Sequence, residues 1–136
     1  MIIVRGDAEG RPSQKRGATF TGEVWADPIL PGVDGVTIAT VVFTPGARTF
    51  WHHHERGQIL QVIAGDGIVC PKDGEPARLR AGDTVWVPPG EQHWHGAAPD
   101  SLMSHIATSL GTTQWADEVT EAEFASANDM QRKTSE

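Results

Sequence analysis

The sequence predicts an all-β protein, a sandwich or barrel of short strands, with one short helix near its C-terminal end. Two features carry this prediction. Between about residues 20 and 110, apolar and polar residues alternate in a series of short segments that Gly and Pro residues bound. Turn residues recur about every 8 to 12 residues, a spacing typical of β-sandwiches and barrels.

The predicted elements follow one another in chain order. The strands are FTGEVWADPI (20–29), VTIATVVF (36–43), TFWHHH (49–54), QILQVIAG (58–65), DGIVCP (66–71), ARLRAGD (77–83), TVWVPPG (84–90), HWHGAA (93–98) and LMSHIATSL (102–110). The helix is predicted over residues 120–127, where Thr120 and Glu123 have the spacing of a capping box. Residues 127–136 are polar and lack periodicity, which predicts a flexible tail after a single domain spanning residues 1–126.

Composition and charge limit the possible functions. A chain of 136 residues, 38% of them apolar, can bury one core. Its longest apolar stretch, residues 36–43, is too short to span a membrane, and no signal-peptide pattern precedes it, so we expect a cytoplasmic protein. Cys70 is the only cysteine, which excludes an internal disulfide and a thiolate zinc cluster. The net charge of −7 argues against nucleic acid and anionic membranes as partners.

Two histidine pairs indicate a metal site. Alternate residues of a strand share one face, so His52 and His54 of FWHHHERGQ point the same way, as do His93 and His95 of PPGEQHWHG. The first pair alone is equally well explained as a solvated strand end. The second pair follows a Pro-Pro-Gly turn and favours a shared ion. Together with Gln58, these donors suit manganese, iron, nickel, cobalt or zinc.

The spacing of these residues resembles both halves of the cupin metal-binding signature. The first half spans residues 46–65 and the second spans residues 82–97; their matching positions are Gly46, His52, His54, Gln58, Gly65, Gly82, Pro88, Gly90 and His93. The resemblance implies a cupin jelly-roll β-barrel with one divalent ion held by His52, His54, Gln58 and His93.

Two positions depart from the cupin pattern. Cupins usually carry Glu where this chain has Gln58, and Asn where it has Ala97. An amide ligand is uncharged, so a divalent ion would keep its full charge, which favours Lewis-acid chemistry over redox cycling. A site of three histidines without Gln58 is an alternative.

Residues 20–124 are similar to a narrower group, the bacterial manganese-dependent cupin hydroxynitrile lyases. The motifs are FTGEV, PGARTFWHHH, RGQ, GDTVWVPPGEQHWHGAAP, MSHIA and VTEAEF. The resemblance implies that His105 is the general base and that His95 hydrogen-bonds the substrate. Each histidine also has an alternative role. His105 would then be a core residue held by hydrogen bonds, and His95 would only orient a metal ligand.

The resemblance also assigns the walls of a substrate pocket to Ala39, Val41 and Ser109. Ser109 stands where the lyases carry a glutamine, which widens the cavity and weakens the case for a mandelonitrile-like substrate. Arg48 is a candidate for contact with an anionic substrate, although an ion pair explains it equally well.

We expect a metal-dependent lyase, most simply a hydroxynitrile lyase that splits a cyanohydrin into an aldehyde and hydrogen cyanide. The alternatives are a manganese or iron dioxygenase, a cupin decarboxylase or isomerase, and a metal-containing binding module. Small cupins commonly pair through their sheets, so we also expect a homodimer or a higher homo-oligomer. Trp51, Trp86 and Trp94 are predicted to pack in the barrel or at a subunit interface.

Overall fold

A computed structural model describes residues 1–6 and 11–135, with side chains up to residue 131. Within these residues there are twelve strands and one helix: β1 (Gln14–Lys15), β2 (Phe20–Thr21), β3 (Val24–Val33), β4 (Val36–Phe43), β5 (Arg48–Thr49), β6 (His52–His54), β7 (Gln58–Pro71), β8 (Ala77–Arg80), β9 (Thr84–Val87), β10 (His93–Ala97), β11 (Met103–Leu110), β12 (Thr113–Trp115) and α1 (Glu121–Ser135). The all-β prediction is confirmed.

The strands form two antiparallel sheets that share β7. The first sheet has the order β1-β3-β4-β11-β7-β9, and it uses the first half of β7. The second has the order β8-β7-β10-β5-β2, with β6 joined to both β10 and β12, and it uses the second half of β7. The two sheets therefore face each other across a common interior, as in a jelly-roll.

The predicted break between residues 58–65 and 66–71 is wrong, because these residues form the single strand β7. Gly65, read as a turn residue, instead lies where β7 passes from one sheet to the other, with φ of 76°. A Cβ atom at this position would lie 1.8 Å from the carbonyl oxygen of Leu102. Only glycine fits such a backbone, so the signature glycine serves a bend within a strand.

The interior between the sheets contains the main core, and its members Phe43, Met103 and Val24 are fully buried. A second apolar cluster lies on the outside of the second sheet, where Trp94 and Ile68 pack against Phe124 and Ala127 of α1. The helix thus covers the outer face of one sheet, while the barrel interior holds both the main core and the polar side chains described below.

The predicted helix end at residue 127 is wrong, because residues 127–135 also belong to α1, while the flexibility of residues 127–136 stays a prediction. The helix begins with the expected capping box, in which the amides of Thr120 and Glu123 each bond the other's side chain. It continues because Ala127 is buried against the sheet and because the Asn128 amide donates to the Phe124 carbonyl. Glu136 lies outside the described residues.

Arg48 attaches α1 to the barrel. Its guanidinium is buried, donates to the carbonyl oxygens of Val119 and Gly46, pairs with the Glu121 carboxylate at 3.0 Å and lies over the Phe124 ring. These bonds go to the junction with the helix and to the backbone just before β5, and Arg48 is absent from the lining of the barrel cavity. The ion pair, and not a substrate contact, accounts for this residue.

The tryptophans divide between core and surface. Trp94 is fully buried and Trp51 is half-buried, whereas 54% of Trp86 is exposed. Trp94 therefore belongs to the core and offers no interface, and the homodimer stays a prediction. Among the described residues, no helix is long and apolar enough to cross a bilayer.

Candidate metal centre

Five histidines from three strands meet inside the barrel, and none is more than 3% exposed: His52, His54, His93, His95 and His105. The pairing of β6 with β10 sets His52 opposite His93, and their ring centroids are 4.3 Å apart. The ring of His54 lies 5.0 Å from that of His52 and 5.7 Å from that of His93. The two sequence motifs thus form one cluster of imidazoles.

Hydrogen bonds at Nδ1 orient three of these rings. The Nδ1 atoms of His52 and His93 donate to the carbonyl oxygens of Phe50 and Glu91, at 2.9 and 3.0 Å. The Nδ1 atom of His54 lies 3.0 Å from the Thr113 hydroxyl. A ring that donates from Nδ1 carries its lone pair on Nε2, which is the arrangement that metal-binding histidines use. The Nε2 atom of His54 is buried and has no partner among the described residues.

Gln58 supplies a further sign that a cation belongs here. Its Oε1 lies 3.1 Å from Nε2 of His93, while its Nε2 donates to the Ser109 hydroxyl at 3.0 Å. A neutral imidazole has one N–H, and His93 already uses it on Glu91. Two lone pairs therefore face each other, which suits an ion that both atoms bind. With the amide turned over, its NH₂ would donate to His93 and no ion would be needed.

His95 and His105 form a pair beside this cluster. Nδ1 of His95 and Nε2 of His105 are 3.0 Å apart, and the Phe43 ring packs against both imidazoles. Nε2 of His95 and Nδ1 of His105 are buried and have no hydrogen-bond partner among the described residues. One proton is shared across the contact, so the pair can take up or release a proton at its two outer nitrogens.

Burial keeps the cluster neutral. The pKa of His54 and of His105 is lowered to about 4 from the ordinary value of 6.5, mainly by loss of water and, for His54, also by the nearby His93. Burial is also the main reason that the pKa of His93 is lowered and that the pKa values of His52 and His95 lie well below the ordinary value. Neutral imidazoles are the form that binds metal ions.

The structure offers two ways to complete a metal site around His52 and His93. One ligand atom each from His52, His93 and His95 lie within 4.8 Å of one another. The set implied by the cupin signature has His54 and Gln58 in place of His95. The unpaired Nε2 of His54 favours the second set, as do the opposed lone pairs of Gln58 and His93 when the Gln58 oxygen faces His93. In either case the donors fit one divalent transition metal per chain.

A cavity of about 370 Å³ leads to this cluster. The predicted pocket residues Ala39, Val41 and Ser109 all line it, as do His95 and His105. The structure therefore brings the sequence-predicted residues together in one interior, while their roles stay predictions.

Part of the cavity wall was not predicted from the sequence, namely Arg16, Phe20, Thr113 and Trp115. The last two belong to β12, which pairs with β6 and places Thr113 opposite His54. Thr113 and Trp115 alternate as strand residues do, but three residues are too few for a period-two signal to stand out.

The two ligand sets can be separated by mutation. We expect His54→Ala to lower the affinity for Mn²⁺ by about 100-fold or more, because it removes a ligand nitrogen. His95→Ala should lower this affinity by less than about tenfold. Residues that only orient a metal ligand typically affect affinity by about 10- to 100-fold when mutated, so a loss below this range indicates that His95 does not bind the ion. Equilibrium titration of both variants with Mn²⁺ measures the difference. A larger loss with His95→Ala would assign the ion to His52, His93 and His95.

The neutral cluster predicts how the stability of the metal-free protein depends on pH. Between about pH 6.5 and pH 4, His54 and His105 are protonated in the unfolded chain but stay neutral in the folded protein. Proton binding therefore stabilises the unfolded state, and the free energy of unfolding should fall as the pH falls. Each pKa unit of difference contributes about 1.4 kcal/mol. Urea unfolding of metal-free protein at pH 7.5, 6 and 5 tests this. His105→Leu should make the slope shallower, and a slope that is flat in the wild type would contradict buried neutral imidazoles.

Comparison with known proteins agrees with this architecture. A family model described as "Cupin domain" matches residues 39–106. The (R)-mandelonitrile lyase of Granulicella tundricola is 41% identical over 111 residues, which cover 77% of this chain and 85% of the lyase.

Solved structures are similar as well. A cupin-like protein from Thermotoga maritima is 40% identical and superposes with a TM-score of 0.83 over 88% of this chain and 95% of its own. A polyketide cyclase from Streptomyces resistomycificus, 16% identical, superposes with a TM-score of 0.71 over 90% and 91% of the two chains and shows the fold alone. The strand order, the buried histidines and these matches lead to one conclusion: the chain belongs to the cupin family and is a small all-β jelly-roll.

Proposed function

We propose that this cupin is a manganese-dependent hydroxynitrile lyase, which splits a cyanohydrin reversibly into an aldehyde and hydrogen cyanide. The observation that carries the proposal is the His95–His105 pair, a buried proton acceptor that opens on the same cavity as the candidate metal ligands. The relative from Granulicella tundricola, named a mandelonitrile lyase, supports the same reaction class.

The candidate ligands are His52, His54, Gln58 and His93. A divalent ion bound there supplies positive charge that stabilises the negative charge developing on the substrate oxygen and on the departing cyanide. Because Gln58 is an uncharged amide, none of these four side chains offsets that charge. The chain's own contribution is to hold the substrate beside the site and to handle the proton.

The histidine pair moves the proton in this proposal. The free Nε2 of His95 accepts a hydrogen bond from the substrate hydroxyl, and the proton passes through the 3.0 Å contact to His105, which acts as the base. As the C–O bond becomes a carbonyl, the C–CN bond breaks and its electron pair leaves with cyanide. Burial lowers the pKa of His105 to about 4, so the protonated imidazole gives up its proton readily. The proton is transferred to cyanide, which gives HCN.

The cavity walls favour a small organic substrate. Ala39, Val41 and Ala107 give a narrow apolar face near the histidines, while Ser109 and Thr113 add hydroxyl groups. The Ser109 hydroxyl is already bonded to the Gln58 amide, so it supports the ligand as well as shaping the pocket.

His105→Ala tests the proposal. In Mn²⁺-loaded protein we expect kcat for cyanide release from mandelonitrile to fall by about 10² to 10⁴, because the positioned base is lost, with the manganese content unchanged. His53→Ala is the matched control, since His53 lies on the opposite face of β6 and should leave kcat unchanged.

Oxygen consumption is measured in the same samples. Wild-type protein that releases no cyanide above the uncatalysed rate would contradict the proposal. Oxygen uptake by the iron- or manganese-loaded protein with a small organic substrate would replace it with a dioxygenase.

A further inference from the structure

The positively charged side chain of Arg16 lies at the mouth of the barrel cavity. The edge strand β1 pairs with β3 so that Gln14 lies opposite Ala26, which lines the cavity, and Lys15 lies opposite Trp25 on the outer face. The amide of Arg16 continues this pairing with a bond to the Val24 carbonyl at 2.8 Å. Arg16 therefore points to the same side as Gln14, and both side chains line the cavity.

A series of contacting aromatic rings, tilted against one another, connects the Arg16 guanidinium to the metal centre. The Arg16 guanidinium carbon lies 5.6 Å from the centroid of the Phe20 ring. Phe20 contacts Trp115 at 5.6 Å, and Trp115 contacts the imidazole of His52 at 4.6 Å. An apolar wall thus runs from the candidate ligands to the guanidinium, and a flat substrate could lie along it.

The charge of Arg16 has no counterpart in the described part of the chain. The residues that line the cavity include no Asp or Glu, and Arg16 is the one Lys or Arg among them. Three other arginines have a carboxylate within 4.0 Å: Arg48 pairs with Glu121, and Arg78 and Arg80 lie near Asp66. In a chain with a net charge of −7, an arginine without a carboxylate partner at a cavity mouth provides a local site for an anion.

We propose that Arg16 binds a carboxylate at the end of the substrate remote from the reacting carbon. This inference rests on the proposed function and deepens it: the substrate class becomes cyanohydrins, and their parent aldehydes, that carry a carboxylate across an aromatic or similarly flat body. The fork of guanidinium donors matches a carboxylate, and stacking on Phe20 holds the fork in place. The hydroxyl or carbonyl end would then reach the histidines while the ring lies against Phe20 and Trp115.

Binding of two aldehydes tests Arg16 without requiring turnover. Calorimetric titration of the Mn²⁺-loaded protein with benzaldehyde and with 4-carboxybenzaldehyde gives a ratio of dissociation constants. In the wild type we expect the carboxylated aldehyde to bind about tenfold more tightly, the size expected of a charge-assisted contact near the surface. Arg16→Met should remove this preference, and Arg16→Lys should retain part of it.

Lys15→Met is the matched control. This substitution removes one positive charge from the position next to Arg16. The Lys15 side chain points away from the cavity, so the preference for the carboxylated aldehyde should persist. Equal binding of the two aldehydes by the wild type, or a preference that survives Arg16→Met, would overturn the proposal. Arg16 is exposed and directly follows the edge strand β1, so the variant should fold, and its melting temperature checks this.

Cyanide release from mandelonitrile and from its 4-carboxy derivative separates this inference from the proposed function. If neither nitrile is cleaved but Arg16 still confers the preference in binding, the lyase reaction fails and the carboxylate site stands. If mandelonitrile is cleaved and the ratio of KM values for the two nitriles is the same in wild type and Arg16→Met, the lyase stands and the carboxylate site fails.

Discussion

His52 and His93 lie directly opposite each other where β6 pairs with β10, and the rest of the site is arranged around this antiparallel contact. It joins two histidines that are 41 positions apart in the sequence. β12 pairs with the other edge of β6 and brings Thr113 to His54, while β11 places His105 against His95. The positions of these histidine side chains therefore depend on strands that are held together by backbone hydrogen bonds.

This arrangement has an energetic cost that the protein offsets only in part. Burying a polar group without a hydrogen bond costs about 1 to 3 kcal/mol in proteins. The backbone carbonyls of Phe50 and Glu91 satisfy one nitrogen each of His52 and His93. The outer nitrogens of His54, His95 and His105 remain without partners among the described residues. A bound ion and a bound substrate are the groups that would satisfy them. The nitrogens that lack a hydrogen-bond partner are therefore the same nitrogens that are proposed to bind the ion and the substrate.

The sequence predicts much of this because strand periodicity is strict. Alternation alone puts His52 with His54 and His93 with His95, and the structure brings both pairs into one interior. What it cannot predict depends on long-range packing. The helix extends past residue 127 because Ala127 meets the outer sheet face, a contact that local composition does not reveal. Arg48 is held by a helix more than seventy residues away, and Arg16 is directed to the cavity by the pairing of two-residue β1 with β3.

The central claim is that this cluster is a binding site for one transition metal ion. Calorimetric titration of metal-free wild-type protein with Mn²⁺ at neutral pH tests it most directly. The account predicts saturation at one ion per chain together with a rise in melting temperature, since an ion that binds only the folded state stabilises it. Absence of saturable uptake of manganese, and equally of iron, cobalt, nickel or zinc, would contradict it.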